Sequence, residues 1–239
     1  MAEEIVFEKL NGGICLIRLN TPPMNLQTLD SMHLLYDIIT GIEADASISA
    51  VVLSGGEGRV FCAGSDVKEF PKLRGNFVEE KLRFENMVFD RLSELPVPTV
   101  CAITGSALGG GLELALCCDF RVMAQEASLS LPEIMLGNFP GSGGPMRMCR
   151  LLGPYRAAEL MSMSARLSAH EALALGLVNR VEQRRDVERC ALELAAELAQ
   201  KPAAAMRAIK YLVYASAHQS TGQAAASAQA FARRMEGKL

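Results

Sequence analysis

Two acidic residues stand where acids are costly. Glu113 interrupts an apolar run, Leu112-Glu113-Leu114-Ala115-Leu116, and Glu133 sits between Pro132 and Ile134. A carboxylate buried unpaired among apolar neighbours is unfavourable, so each must be paired or chemically used. Asp119 is a further lone acid, at a helix-to-strand junction where a structural role is expected. Directly before Glu113 come three consecutive glycines, Gly109, Gly110 and Gly111, at the start of a helical pattern. Glycines there let a ligand approach the main chain, and the free N–H groups and dipole of a helix start favour negative charge. Close helix–strand packing can also demand glycine, so both readings stand. The segment Phe61-Cys62-Ala63-Gly64-Ser65-Asp66 follows a buried strand and a Gly-rich bend. Asp66 and Glu69 have capping-box spacing, which predicts a short helix start with exposed N–H groups. A tight turn that merely needs Gly64 is the plainer alternative.

Main-chain donors beside two carboxylates suit one reaction class. A thioester carbonyl polarised by two N–H groups can carry enolate charge from its α-carbon. Removing one such donor raises a barrier by ~2.7–4 kcal/mol. Two carboxylates can divide the base and acid roles, each worth roughly 10²–10⁴ in rate, if their environments push the two pKa values apart. Other machinery is missing from the sequence: there is no GxxxxGK[ST], no GxGxxG after a strand, no HExxH and no GxSxG. His33, His170 and His218 lie far apart, and His33 reads as a surface or satisfied group. Ser65-Asp66-Val67-Lys68 fits the SxxK pattern of acyl enzymes, but its companion motifs are absent.

The composition narrows the field. The 239 residues are 50% hydrophobic and 21% charged, with 24 basic and 27 acidic side chains giving a net charge of -3. That is too apolar for disorder, yet no apolar run reaches the ~20 residues of a membrane span. The acidic balance argues against nucleic acid as a partner, and 5% aromatic content without Trp argues against single-strand stacking. Seven cysteines at 15, 62, 101, 117, 118, 149 and 190 contain no CxxC pair. They read as small buried hydrophobes, with no metal site, in a reducing and hence cytoplasmic setting. The N-terminus has no apolar signal core. Gly237-Lys238-Leu239 approaches a peroxisomal address with Gly in place of Ser, and reads as an ordinary tail.

Positioning elements follow from periodicity. Residues 5–10 and 14–19 flank Asn11-Gly12-Gly13, a hairpin signal. Leu29, Met32, Leu35, Ile39 and Ile42 predict a helix, and residues 48–53 a short apolar strand. A helix is expected from about Phe77 to Leu95, stopped by Pro96 and Pro98. Residues 99–103 read as a buried strand, followed by a Gly-rich loop and the helix carrying Glu113. Residues 119–123 and 128–131 read as short strands, and Leu177-Val178 as the last strand-like fragment. Helices at 187–201 and 203–217 complete the pattern. The chain thus divides into an α/β core at 1–180 and a helical C-terminal region at 181–239.

At Phe61–Asp66, Ala107–Asp119, and Pro132–Gly137 with Pro140–Gly144, the chain resembles the crotonase superfamily of enoyl-CoA hydratases and isomerases. The resemblance runs from about residue 5 to at least 215. It implies a spiral of stacked ββα turns with a helical C-terminal region, assembled as a homotrimer or homohexamer. It implies that the N–H groups of Ser65 and Gly110 form an oxyanion hole. Glu113 and Glu133 match the two glutamates that hold a water for addition to a trans-2-enoyl-CoA, Glu113 activating it and Glu133 exchanging the proton at Cα. Ala63, Gly64, Asp66 and Gly109 would line the substrate path. Met24-Asn25 would contact pantetheine, and Arg59 would reach a CoA phosphate. CoA is part of the substrate and no separate cofactor is implied. Two departures are visible. Pro145-Met146-Arg147 stands where hydratases usually carry a polar residue before the arginine, on the far wall of the acyl pocket. The chain also ends about where the family continues into a closing helix, and Phe231, Arg233 and Arg234 read as a shortened version of it. The alternatives are another reaction of the same family, a double-bond isomerase or a decarboxylase, and a non-catalytic acyl-CoA-binding protein.

Overall fold

The computed structural model describes residues 4–73, 75–215 and 221–235. It opens with the expected hairpin, β1 (Ile5–Leu10) and β2 (Ile14–Leu19), paired antiparallel with Leu10 opposite Ile14. Helix α1 (Leu29–Ala44) starts at Thr28, whose Oγ1 accepts the Ser31 amide at 2.9 Å, and it buries Met32, Leu35, Ile39 and Ile42.

Three strand pairs then repeat one connection. β3 (Ala50–Ser54) and β4 (Val60–Cys62) lead to α2 (Phe84–Glu94). β5 (Thr99–Ile103) and β6 (Ser106–Leu108) lead to α3 (Gly110–Ala115). β7 (Phe120–Ala124) and β8 (Ser128–Ser130) lead to α4 (Gly144–Leu152) and α5 (Pro154–Ser162). The first strand of each pair joins a six-stranded sheet and the second a four-stranded sheet, so every turn adds one parallel strand to each. This is the ββα spiral. Strands β9 (Leu167–Ser168) and β10 (Arg180–Glu182), with α6 (Ala169–Ala174) between them, complete the orders β1-β2-β3-β5-β7-β10 and β4-β6-β8-β9. Helices α7 (Arg184–Ala199), α8 (Ala203–Ala215) and α9 (Thr221–Met235) follow.

The first strands were legible because β3 and β5 are buried on both faces and read as continuous apolar runs. The second strands, β4 and β6, span three residues each, too short for any periodicity, and β6 lies inside what reads as a Gly-rich loop. Leu177 and Val178 are buried but form no strand; the last strand is β10, paired with β7. The division at residue 180 also runs through the core. α7 buries Val187, Cys190, Ala191, Leu194 and Ala195 in the same cluster as the six-stranded sheet. Of the helix expected at 203–217, α8 ends at Ala215, and residues 216–220 lie outside the described ones, as do residues 236–239 with the Gly-Lys-Leu end. Phe231 stacks on Tyr211 at 5.4 Å, which docks α9 on α8. The cysteines are free, all buried except half-buried Cys149. Among the described residues, no helix is long and apolar enough to cross a membrane.

Candidate active site

Adjacent pairing of β4 and β6, with Cys62 opposite Ala107, sets two strand exits side by side. Ala63, Gly64 and Ser65 leave one, and Gly109 and Gly110 leave the other. Gly64 has φ +87°, and a methyl on it would lie 3.0 Å from the Gly110 nitrogen, so only glycine permits this approach. Gln27 bolts the two exits together. Its main-chain N–H donates to the Gly64 carbonyl at 2.9 Å, its carbonyl accepts the Asp66 amide at 2.9 Å, and its Nε2 donates to the Gly110 carbonyl at 3.0 Å. The amides of Ser65 and Gly110 donate to no acceptor among the described residues, and both residues line one cavity of about 330 Å³.

Glu113 and Glu133 line that same cavity. Glu113 lies in the first turn of α3 and is 2% exposed. Its Oε1 accepts the amides of Ser142 at 2.8 Å and Gly144 at 2.7 Å, from the loop that enters α4. Burial pushes this carboxyl up to about 7; the charges of Glu133 and Glu85 act in the same direction, and the two amides oppose them. Glu133 begins a 3₁₀ turn (Glu133–Leu136) after β8. Because Ser130 of β8 accepts the Gly109 amide at 2.9 Å, this turn is delivered beside the glycine segment. A methyl on Gly109 would lie 3.1 Å from Glu133 Oε1. Burial raises the Glu133 carboxyl as well, and its Oε2 is buried without a hydrogen-bond partner. One acid is thus fixed by main-chain donors, while the other keeps a free lone-pair face.

Of the remaining sequence-derived candidates, Ala63, Gly64 and Gly109 line the cavity, and Met24, Asn25, Arg59 and Asp66 do not. The Asn25 amide is occupied by its own fold: Nδ2 donates to the carbonyls of Gly55 at 2.9 Å and Phe61 at 3.0 Å, and Oδ1 accepts the Thr21 amide at 3.0 Å. Met24 contributes its carbonyl, which accepts the Ala63 amide at 3.0 Å. Arg59 is exposed, and its carbonyl takes the Ser106 amide at 3.2 Å. The capping box expected at Asp66 and Glu69 does not form. Asp66 Oδ1 accepts the Lys68 amide at 3.0 Å, whereas Glu69 Oε2 reaches the Leu29 amide at 3.0 Å, at the start of α1. Tertiary proximity wins over the local pairing, and the turn at Val67–Leu73 is 3₁₀. Asp119 has the structural role expected: its Oδ2 accepts from Thr99 and from Lys210 Nζ, the latter at 2.8 Å. His33 is exposed and stacks on Phe84 at 4.2 Å.

Several wall residues carry no sequence signal. Phe70 and Phe77 meet edge-to-face at 4.9 Å and line the cavity with Val78, Leu82 and Phe139. Lys81 and Glu85 also line it, as an ion pair of 2.9 Å buried to 2% and 3% exposure. At i,i+4 on an expected helix, such a pair reads as a solvated face. The reason for the miss is geometric: residues Phe77–Arg83 form a π-helical turn, so 3.6-residue periodicity does not apply there. Pro145 sits at the start of α4. Arg147 turns inward, donating to the Ser142 carbonyl at 2.8 Å and to Asp90 at 2.8 Å.

Residues 9–236 match the family model described as enoyl-CoA hydratase/isomerase. The chain belongs to this family. YngF of Bacillus subtilis (strain 168), an enoyl-CoA hydratase/isomerase by name, is 40% identical over 214 residues, 89% of this chain and 82% of its own. The short-chain-enoyl-CoA hydratase of Clostridium acetobutylicum is 33% identical over 213 residues, covering 87% of this chain and 80% of its own. The crystal structure of an enoyl-CoA hydratase from Bacillus anthracis superposes with a TM-score of 0.91 at 33% identity, covering 98% of this chain and 94% of that one. The protein is therefore a crotonase-superfamily enzyme of the hydratase/isomerase type, from a family that acts on acyl-CoA thioesters.

Proposed function

We propose that this protein is an enoyl-CoA hydratase that adds water reversibly across the 2,3 double bond of a trans-2-enoyl-CoA. The observation that carries the reading is the meeting of Glu113, Glu133 and the unengaged amides of Ser65 and Gly110 in a single cavity. The thioester oxygen accepts both amides. As water oxygen bonds to Cβ, the C=C pair moves toward Cα and charge collects on the thioester oxygen, where fixed N–H dipoles stabilise it. Glu113, ionised, takes the proton that water loses. Glu133, protonated, gives a proton to Cα, and a proton passing from Glu113 back to Glu133 resets the site. Burial raises both carboxyls, and at about 7 Glu113 has the strength of a base matched to neutral pH. The aromatic and aliphatic wall of Phe70, Phe77, Val78, Leu82 and Phe139 suits an acyl chain. CoA enters as part of the substrate, and the reaction as written consumes only water.

Incubation of crotonyl-CoA and a 3-enoyl-CoA in H₂¹⁸O, read by mass spectrometry, tests the reading. Gain of one labelled water by crotonyl-CoA supports it. Conversion of the 3-enoyl thioester to its conjugated isomer, with no water taken up by either substrate, supports the isomerase instead.

The exposed side chains of Ile134, Met135, Leu136 and Phe139, just past Glu133, support assembly with further copies of this chain. The family resemblance supplies the expected number, a homotrimer or homohexamer, which light scattering would report.

A further inference from the structure

Ser142 is held on three sides. Its N–H donates to Glu113 Oε1 at 2.8 Å, its Oγ donates to Glu85 Oε2 at 2.6 Å, and its carbonyl accepts Arg147 Nη1 at 2.8 Å. Glu85 has its other oxygen, Oε1, on Lys81 Nζ at 2.9 Å. Four residues therefore form one continuous chain, Lys81–Glu85–Ser142–Glu113, along the cavity wall. Replacing a buried ion pair by apolar residues of similar volume is often neutral or stabilising. Fold stability alone thus gives no reason for a cation and an anion in this wall, whereas the contact with Ser142 does.

We propose that Lys81, Glu85 and Ser142 form a buried relay that positions Glu113 and biases its proton occupancy, making Glu85 a positioning residue of the reaction. This rests on the reading of Glu113 as the base toward water. The relay acts in two ways. The Glu85–Ser142 bond orients the loop so that the amides of Ser142 and Gly144 converge on Glu113 Oε1. The Glu85 carboxylate also places a second negative charge near Glu113, which favours the protonated form. Glu133, on the turn after β8, acts on Glu113 in the same direction; Cys117 on its own helix donates its thiol to the Glu113 carbonyl at 3.2 Å, and Arg147 on α4 is held at the Ser142 carbonyl.

The test titrates Glu113 directly, by ¹³C NMR of protein labelled at glutamate Cδ, with Glu113→Gln to assign the resonance. Glu85→Gln keeps an acceptor for Ser142 and removes the charge; the Glu113 midpoint should fall by about one pH unit. Lys81→Met/Glu85→Met, which removes the whole pair, should lower it in the same direction if the single variant fails to fold. Ser142→Ala keeps the amide and removes the hydroxyl; kcat should drop about tenfold with KM within about twofold, as a misplaced base would give. A midpoint unmoved in both Glu85 variants overturns the proposal, as does a Ser142→Ala kcat equal to wild type. Since the NMR titration needs no turnover, a protein that hydrates no enoyl-CoA yet shows the shift refutes the hydratase reading and leaves the relay standing.

Discussion

Gln27 donates from Nε2 to the Gly110 carbonyl at 3.0 Å while its main chain pairs with Gly64 and Asp66, so one side chain sets the spacing of the two unengaged amides. Its Oε1 is buried without a partner, a cost that the fold tolerates to keep this bolt in place. Gln27→Leu removes the bolt and leaves bulk. Turnover of crotonyl-CoA is expected to fall by about 10–100-fold, because small displacements of a transition-state donor are costly. Steady-state kinetics beside circular dichroism checks this, and wild-type kcat would show that the amides hold their spacing without it.

Glu133→Gln should lower turnover by ~10²-fold or more, since the amide cannot pass a proton to Cα. The side chain is only half-buried and its Oε2 has no partner, so the melting temperature should stay close to wild type. A variant that hydrates crotonyl-CoA normally removes Glu133 from the mechanism.

Glu113 links activity and stability to pH. If Glu113 is the base proposed above, its ionised form is required, so the acidic limb of the kcat profile should rise with pH through about 7 and fall roughly tenfold per unit below it. Because the two acids interact, the measured midpoints belong to the pair. The stability effect has the opposite sense. Folding raises this carboxyl from 4.5 to about 7, so the folded chain binds more protons in that window and loses stability as pH rises across it. Above about 7 the cost is full, on the order of 3 kcal/mol. Urea denaturation at pH 5 and pH 8 should show Glu113→Gln stabilised mainly at pH 8, and an equal effect at both would refute the linkage.

Asp119 holds the strand start at Thr99 and the α8 cation Lys210, whose Nζ also donates to the Val97 carbonyl at 2.9 Å. Asp119→Ala strands that buried ammonium and should destabilise by about 3–5 kcal/mol. Lys210→Met/Asp119→Ala should recover part of the loss. Chemical denaturation of both variants separates the effects, and kcat of the folded fraction should match wild type.

Particular residues show how much the chain alone could say. Strands β3 and β5, the hairpin around Asn11–Gly13 and α1 are written in local patterns: the two strands as continuous apolar runs, the hairpin in its Asn-Gly-Gly turn, and the helix in apolar residues three to four apart. Glu113 and Glu133 stood out because a lone acid in an apolar run has few harmless explanations. Strands β4 and β6 were illegible at three residues each, and Leu177-Val178 mimicked a strand because burial in a loop looks the same in sequence.

The sequence by itself determined the two glycine-rich exits, the two acids and the apolar strands that carry them, because backbone freedom and transfer out of water act residue by residue. Only the tertiary structure decided that positions 65, 110, 113 and 133 share one cavity, that Ser142 and Gly144 clamp Glu113, and that Lys81 and Glu85 lie inside rather than in solvent. Those contacts join residues far apart along the chain, and their distances follow from how the sheets stack and how the π-helical turn rotates one helix face. Neither leaves a mark on any local window of amino acids.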